Sequence, residues 1–338
     1  MIISKTPFRM SFFGGGTDLP EFFKEHGGSV ISTTFDKYCY VTVRHLPPFF
    51  DYSTELSYYE TERVTRIEDI RHPAIRNAMK LLDMREIRLT YEADLPARSG
   101  LGTSSSFAVG MLNAFYALKG KYADKKKLAD QAIYLEREMC REAGGWQDQI
   151  AAAFGGFNRI DFSEDGYAVN PVIISPARKQ QLEDSLIMFF TGFTRFSSEI
   201  QSVNCSATKQ EKETRLKHML RLVEDAQIVL VDQSRDLREF GELLDQEWKL
   251  KRGISHAVST EAIDEIYIRA IKAGAVGGKL LGAGGGGFFV FYVEPEKRAA
   301  VKRALRDLLY VPFHFESEGA SIIYYSPESY EFSERTEQ

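Results

Sequence analysis

The sequence predicts a two-domain α+β protein, and three observations carry that prediction. The chain has 338 residues, and a chain of that length usually needs more than one hydrophobic core. Its first third has the β-branched and aromatic composition of strands, whereas residues 209–252 follow a helical pattern almost free of glycine. The hydrophobic content of 43% and the charged content of 27% are ordinary for globular domains.

Charge and cysteine content exclude several classes of protein. A formal charge of −5 gives no general electrostatic reason to bind nucleic acid or a membrane surface. Cys39, Cys140 and Cys205 lie far apart without a CxxC pair, which argues against a zinc cage or disulfide framework and fits a reducing cytosol. Lys5 and Arg9 interrupt the apolar residues at the N-terminus, so we expect no signal peptide. We expect a cytoplasmic protein and leave a homodimer open.

The first domain is predicted over residues 1–172. The stretches "SVISTTFDKYCYVTVRHL" and "EIRLTYEADLP" read as strands, and "FGGFNRIDFSEDGYAVNPV" reads as strand and turn. Two apolar series at helical spacing lie between them, the first ending near Gly120 and the second at Gly144–Gly145. The two series are Phe107, Met111, Phe115 and Leu118, then Leu128, Ala132, Leu135 and Met139.

The second domain is predicted over residues 173–338, with the boundary near residues 165–180. It begins with a buried strand in "DSLIMFFTGF", continues with helices over Lys209–Arg252, and has a further helix in "TEAIDEIYIRAIKAG". A glycine-rich strand region, a helix in "KRAAVKRALRDLL" and a last strand in "GASIIYYS" follow. This order predicts a strand–helix sandwich, an α+β domain.

The segment "LPARSGLGTSSSFAVG" is predicted to join a strand to a helix. The first N–H groups of a helix lack intrahelical partners and favour an anion. Gly100 and Gly102 would let phosphate oxygens approach the backbone. The segment matches neither GxxxxGK(S/T) nor GxGxxG, because no Lys follows the second glycine and position 105 is Ser. A capped helix start is therefore the alternative to a phosphate-binding loop.

Two further glycine clusters stand near the ends of the chain. "PFRMSFFGGGTDLP" places Thr17 and Asp18 after three glycines, where a carboxylate can bind sugar hydroxyls or simply complete a turn. "GGKLLGAGGGGFFVFY" belongs to a stretch with eight glycines in fourteen residues, more than a hairpin needs. That density indicates close approach of the backbone to a ligand or another segment.

In order and spacing, these three segments resemble the signature motifs of the GHMP kinases, the superfamily of galactokinase, homoserine kinase and mevalonate kinase. The resemblance implies a two-domain fold, with an N-terminal domain like ribosomal protein S5 domain 2 and a C-terminal ferredoxin-like α/β sandwich. Within the superfamily, "FFGGGTDLPEFF", "GGWQDQIAAAFGG", "FTGFTRFSSEI" and "GELLDQEWKLKRGIS" resemble the bacterial D-glycero-D-manno-heptose 7-phosphate kinases.

The resemblance implies that the middle segment binds the phosphates of ATP and that Mg²⁺ accompanies the nucleotide. The residues assigned to the nucleotide are Ser99, Gly100, Leu101, Gly102, Thr103, Ser104 and Ser105. Ser104 and Glu136 are assigned to Mg²⁺, because the family's acidic ligand precedes its catalytic aspartate by about a dozen residues. Periodicity alone separates Glu136 poorly from Glu138.

Asp148 matches the family's catalytic aspartate, and Arg9 matches the arginine that faces it. Asp148 lies in a stretch of little polarity, where an unpaired charge would be costly, so a guanidinium nearby would balance its charge. We expect Asp148 to accept the proton of a sugar hydroxyl while electrostatics and positioning carry the phosphoryl transfer. A purely structural Arg–Asp pair is the alternative.

The acceptor is expected to contact Asp18, Gly16 and Thr17 of the first glycine cluster and Gly284 and Gly285 of the third. If the acceptor already carries a phosphate, a second anion site is needed. Arg195 is assigned to it, with Lys5 and Arg98 as further candidates, although each can also be an ordinary surface charge.

The resemblance implies an ATP-dependent phosphotransferase that acts on the anomeric hydroxyl of a sugar phosphate. The expected acceptor is D-glycero-D-manno-heptose 7-phosphate, and the 1,7-bisphosphate would feed GDP-heptose and surface polysaccharide synthesis. The alternatives are a fucose- or galactose-type kinase of the same superfamily and a non-catalytic ligand sensor. The presence of Asp148, Glu136, Ser104 and Arg9 together weighs against the sensor.

Overall fold

The computed structural model describes residues 1–97, 99–192, 208–254 and 258–328. Within these ranges the chain forms a nine-stranded sheet and a four-stranded sheet. The larger sheet contains β1 (Ile2–Phe13), β2 (Gly28–His45), β3 (Thr54–Ser57), β4 (Thr61–Val64), β5 (Ile87–Ala93), β6 (Phe157–Ser163), β7 (Gly166–Pro171), β12 (Phe315–Glu316) and β13 (Ser321–Tyr325). The smaller sheet contains β8 (Leu186–Phe190), β9 (Gly277–Leu280), β10 (Phe288–Tyr292) and β11 (Leu309–Val311).

Helices connect and cover the two sheets. They are α1 (Pro20–His26), α2 (Pro73–Leu81), α3 (Thr103–Leu118), α4 (Lys125–Ile133), α5 (Gln147–Phe154), α6 (Pro176–Ser185), α7 (Lys209–Val231), α8 (Arg238–Arg252), α9 (Glu261–Lys272) and α10 (Arg298–Ala304). A π-helical segment, Tyr134–Met139, continues α4. In the part of the chain that the structure describes, no helix is both long and apolar enough to cross a bilayer.

The larger sheet has the strand order β13-β1-β2-β5-β3-β4, with β12 and β6 also pairing with β2 and β7 pairing with β6. The antiparallel β1–β2 ladder shifts register between Pro7 and Phe8 and again between Ser11 and Phe13. Such bulges bend a strand and re-aim its side chains. The short stretch between the two shifts carries Arg9.

Among the described residues there are four apolar clusters, and three of them hold the layers together. One fills the space between the larger sheet and α2–α5. The second joins Phe8, Met10 and Phe12 of β1 to α7, α8 and one face of the smaller sheet. The third packs the other face of that sheet against α9 and α10. Because β8 and β10 alternate between the second and third clusters, the smaller sheet is buried on both faces, as its apolar sequence predicts.

The structure differs from the sequence prediction in two elements. The helix expected to end at Gly144–Gly145 is α-helical only to Ile133 and continues as a π-helical segment to Met139. It stops before the glycines because Arg141 has a φ of 55°, which a right-handed helix cannot accommodate. The last strand was expected in the second domain, but β13 pairs with β1 and β12 pairs with β2. Apolar alternation cannot reveal which sheet a strand will join, because both sheets offer an edge. The boundary near residue 172 stays a prediction.

Candidate active site

Arg9 and Asp148 form a two-pronged ion pair at the centre of the candidate site. Arg9 Nε and Nη2 each donate to one Asp148 carboxylate oxygen at 2.8 Å. Arg9 Nη1 donates to the carbonyl of Gly100 at 2.7 Å. The Arg9 side chain is 5% exposed and that of Asp148 is 26% exposed. The guanidinium therefore balances the charge of the carboxylate on one side, and the other side of the carboxylate is left open to solvent.

The predicted phosphate loop lies directly against this pair. The N–H of Arg9 donates to the carbonyl of Leu101 at 3.1 Å, and a β-carbon at Gly102 would lie 3.3 Å from Arg9 Cγ. Gly100 and Gly102 have φ of 81° and 72°, which side chains rarely adopt. Gly102 is also the N-cap of α3 and supplies no side-chain cap. The loop thus leads into a helix N-terminus suited to an anion.

The third glycine segment packs on this loop, as the sequence predicts. A β-carbon at Gly282 would collide with Gly100, and one at Gly287 would collide with the carbonyl of Ser99. Farther along, Gly284 packs against Val258, whose carbonyl accepts the N–H of Gly285 at 3.0 Å. The glycine density is therefore explained first by contact between two backbone segments. An acceptor role for Gly284 and Gly285 stays a prediction.

Glu136 lies in the π-helical segment and contacts the start of α3. Its carboxylate accepts hydrogen bonds from Ser104 Oγ at 2.9 Å and from Ser105 Oγ at 2.7 Å, and another from the Gln149 side-chain amide. The residue is 1% exposed, whereas Glu138 is exposed. The structure therefore selects Glu136 as the carboxylate beside the phosphate loop.

The first glycine cluster forms a tight turn held by its own polar residues. Asp18 is 3% exposed, and its carboxylate accepts the N–H groups of Gly16 at 2.9 Å and Gln147 at 3.2 Å. Burial, and then the nearby Asp148 carboxylate, raise the pKa of Asp18. The Thr17 hydroxyl lies 2.8 Å from the carbonyl of Gly14 and accepts the N–H of Ser29 at 3.1 Å. These contacts hold the turn, and acceptor binding by Gly16, Thr17 and Asp18 stays a prediction.

The structure describes only one of the three candidates for a second anion site. Arg195 and Arg98 lie outside the described residues. Lys5 places its ammonium 3.8 Å from the centre of the Tyr38 ring, a contact that occupies the cation with an aromatic face. A role for Lys5 at a second anion site stays a prediction.

Sequence reasoning missed a buried charged group between the first and third glycine segments. Lys279 of β9 donates to the carbonyl of Phe12 at 2.7 Å and lies 3.3 Å from Glu247 of α8. Glu247 also accepts the N–H of Gly14 at 3.1 Å. One turn along α8, Lys251 donates to the carbonyls of Leu280, at 3.1 Å, and Gly282. The helical spacing of Glu247 and Lys251 was the one available signal, and it usually marks a solvated face.

Burial shifts the pKa values of Glu247 and Lys279 in opposite directions. It raises the pKa of Glu247 and lowers that of Lys279, while the opposite charge of each partner acts against the shift. Burial, reinforced by the charges of Lys279 and Arg9, lowers the pKa of Lys251 well below its usual range.

Comparison with known proteins identifies the class that this fold and site define. The family model for the GHMP kinases N terminal domain matches residues 70–156, and the model for the GHMP kinases C terminal domain matches residues 226–311. The chain belongs to the GHMP kinase family. It has that family's two-part fold and is a sugar kinase, a phosphotransferase that acts on small molecules.

Within the family, the chain is similar to several individual sugar kinases. The chain is 31% identical over 334 residues to the D-glycero-alpha-D-manno-heptose 7-phosphate kinase of Campylobacter jejuni, covering 94% of this chain and 97% of the relative. The solved D-glycero-D-manno-heptose 1-phosphate kinase of Bacteroides thetaiotaomicron superposes with a TM-score of 0.76 at 28% identity, covering 95% and 98% of the two chains. The L-fucokinase/L-fucose-1-P guanylyltransferase of Bacteroides fragilis is 28% identical over 64% of this chain and 23% of its own length.

Proposed function

We propose that this protein transfers the γ-phosphoryl group of ATP to the anomeric hydroxyl of D-glycero-D-manno-heptose 7-phosphate and forms the 1,7-bisphosphate. The observation that carries the proposal is the open side of Asp148, which Arg9 balances from behind next to a glycine loop and a helix N-terminus. The 31% identity to a heptose 7-phosphate kinase over 94% of this chain supports the choice of this acceptor. The product would supply GDP-heptose for surface polysaccharide.

The loop Ser99–Ser105 fits a nucleotide triphosphate. Any side chain at position 100 would collide with Leu281, so the glycine keeps the backbone bare, and Gly102 leaves the helix entrance without a side-chain cap. Ser99 is fully buried, and its hydroxyl has no hydrogen-bond partner among the described residues. Buried hydroxyls are normally satisfied, so this one favours a ligand at the loop.

Ser104 and Glu136 fit a magnesium ion that arrives with the nucleotide. Both offer hard oxygen donors, which Mg²⁺ prefers alongside phosphate oxygens and water. Among the described residues, no three His, Cys, Asp or Glu side chains cluster as a metal site, so phosphate oxygens would complete the coordination shell. When bound, the ion would neutralise phosphate charge.

The chain's own residues supply position and charge. The anomeric oxygen of the acceptor forms a bond to the γ-phosphorus while the bond between that phosphorus and the β–γ bridging oxygen breaks, and ADP leaves. Asp148 accepts the hydroxyl proton, a role worth about 10²–10⁴-fold in rate. Arg9 fixes both carboxylate oxygens, and its link to the Gly100 carbonyl ties the base to the phosphate loop.

One second candidate has specific support. The fucokinase relative matches 64% of this chain at 28% identity, so an unphosphorylated sugar is the alternative acceptor. A non-catalytic sensor has no comparable support, because the acid, its arginine and the serine–glutamate pair meet at one site.

The test is an acceptor panel with ATP and Mg²⁺, read by ADP release and by ³¹P NMR of the product. The panel contains the heptose 7-phosphate, the heptose 1-phosphate, the free heptose, fucose and galactose, because the relatives' names differ in the phosphate position. We expect turnover with the 7-phosphate and a new anomeric phosphate signal. Turnover with only unphosphorylated sugars would overturn the proposed acceptor.

A further inference from the structure

We propose that Asp18 and Arg137 act together as a clamp that sets the position of Asp148, and that both are positioning residues of the transfer reaction. The clamp is defined as these two side chains and the loop 142–147 that they hold. This inference rests on the proposed function. It gives Asp18 a different role from the sugar-hydroxyl ligand that the sequence predicts.

Arg137 holds the carbonyl side of the loop. Its Nη1 donates to the carbonyls of Glu142 at 3.1 Å and Ala143 at 3.0 Å, and its Nη2 donates to the carbonyl of Gly145 at 2.9 Å. Gly144 has φ of 143°, and a β-carbon there would lie 3.1 Å from both terminal nitrogens. The loop therefore wraps closely around one guanidinium.

Asp18 holds the N–H side of the same loop. Its Oδ2 accepts the N–H of Gln147, and its backbone carbonyl accepts the N–H of Trp146, both at 3.2 Å. Gly145 lies so close that a β-carbon would collide with the Asp18 carboxylate. Gln147 is the first residue of α5, and its N–H has no intrahelical partner. Asp18 thus fixes the start of the helix whose second residue is Asp148.

The clamp connects Glu136, beside the phosphate loop, to Asp148. Arg137 follows Glu136 in the π-helical segment, and such segments often occur at functional sites. The chain then passes Arg141, which has a strained φ of 55°, and continues through the loop to Asp148 in α5. A displacement of about 1 Å at a reacting group costs on the order of 10²-fold in rate. Loosening either side chain should therefore lower kcat.

The experiment compares Arg137→Ala, Arg137→Lys and Asp18→Asn with Glu138→Gln, an exposed neighbour that serves as control. We expect Arg137→Ala to lower kcat by about 10²-fold, with the acceptor KM changed less than about threefold. Arg137→Lys should recover part of kcat, because an ammonium can still donate to these carbonyls. Asp18→Asn should lower kcat with little change in acceptor KM, and Glu138→Gln should match the unmodified protein.

A spectroscopic readout tests the clamp without catalysis. The chain has two tryptophans. Trp146 lies in the loop, whereas Trp248 is fully buried, so acrylamide quenching of fluorescence reports mainly on Trp146. We expect stronger quenching in Arg137→Ala and Asp18→Asn than in Glu138→Gln. If Arg137→Ala does not fold, Arg137→Lys carries both measurements.

Several results would overturn the inference. A rise of tenfold or more in acceptor KM at unchanged kcat in Asp18→Asn would make Asp18 a substrate ligand. Unchanged quenching in the Arg137 and Asp18 variants would show that neither holds the loop. Failure of the proposed function is distinguishable, because the unmodified protein would then phosphorylate no sugar phosphate while the quenching result still decides the clamp.

Discussion

Two ion pairs lie close to the junction of the glycine segments, and they differ in access to water. Arg9 and Asp148 share two bonds of 2.8 Å, and the Asp148 side chain is 26% exposed. Lys279 and Glu247 meet at 3.3 Å, with exposures of 2% and 0%. The first pair has an open side that a hydroxyl can reach. The second pair can reach only protein.

The difference assigns the two pairs to different tasks. The closed pair, Lys279 and Glu247, also binds the backbone. Lys279 donates to the carbonyl of Phe12, and Glu247 accepts the N–H of Gly14. It therefore ties the first glycine cluster to β9 and α8. A buried pair of this kind gives little net stability over an apolar replacement, but removing one partner is costly.

The largest stability effect is expected when the closed pair is broken. Lys279→Met leaves Glu247 buried without its cation, and we expect a loss of about 3–5 kcal/mol in the free energy of unfolding. The double variant Lys279→Met with Glu247→Gln should recover much of that loss. Denaturant titration measures both, with Lys272→Met, at an exposed lysine, as control.

The same variants also test whether the closed pair lies outside the catalytic centre. The molecules of Lys279→Met that remain folded should transfer phosphate at close to the unmodified rate. A loss of 100-fold or more in kcat at unchanged unfolding free energy would instead place Lys279 in the catalytic centre.

A smaller effect is expected from Lys251, which donates to carbonyls of the third glycine segment. Because burial lowers its pKa well below the usual range, the folded chain binds fewer protons than the unfolded chain between that lowered pKa and about 10.4. Stability from this group therefore rises with pH through that window, by at most about 1.4 kcal/mol per pH unit.

Unfolding measurements at pH 7, 8, 9 and 10 test this sign. The unmodified protein should gain stability relative to Lys251→Met as pH rises, whereas Lys249→Met, at an exposed pair with Asp245, should show no such trend. A difference that shrinks with rising pH would contradict the account of Lys251.

Much of the fold and the open pair could be predicted from the sequence. Arg9 and Asp148 stand in distinctive glycine-rich surroundings, and matching those segments to a known family brings the two residues together across 139 positions. The strands and helices were predictable because their apolar periods are clear, as in β2, β5 and α3.

The closed pair and the clamp could not be predicted in the same way. Glu247 lies on a charged helix, where most carboxylates face water, and nothing local indicates that Lys279 will meet it. Arg137 binds backbone carbonyls, which every sequence offers equally. Glu136 was assigned by its spacing to Asp148 in the family pattern, but the apolar period alone could not separate it from Glu138, because a π-helical turn shifts the helical faces that an α-helical period assumes.

The central claim is that Asp148 is the base of a phosphoryl transfer. Its most direct test is the single-turnover rate of transfer from labelled ATP to the heptose 7-phosphate by Asp148→Asn, with ATP affinity measured on the same protein. We predict a rate at least about 10²-fold lower and an ATP affinity within threefold of the unmodified value. Transfer at close to the unmodified rate would contradict the claim.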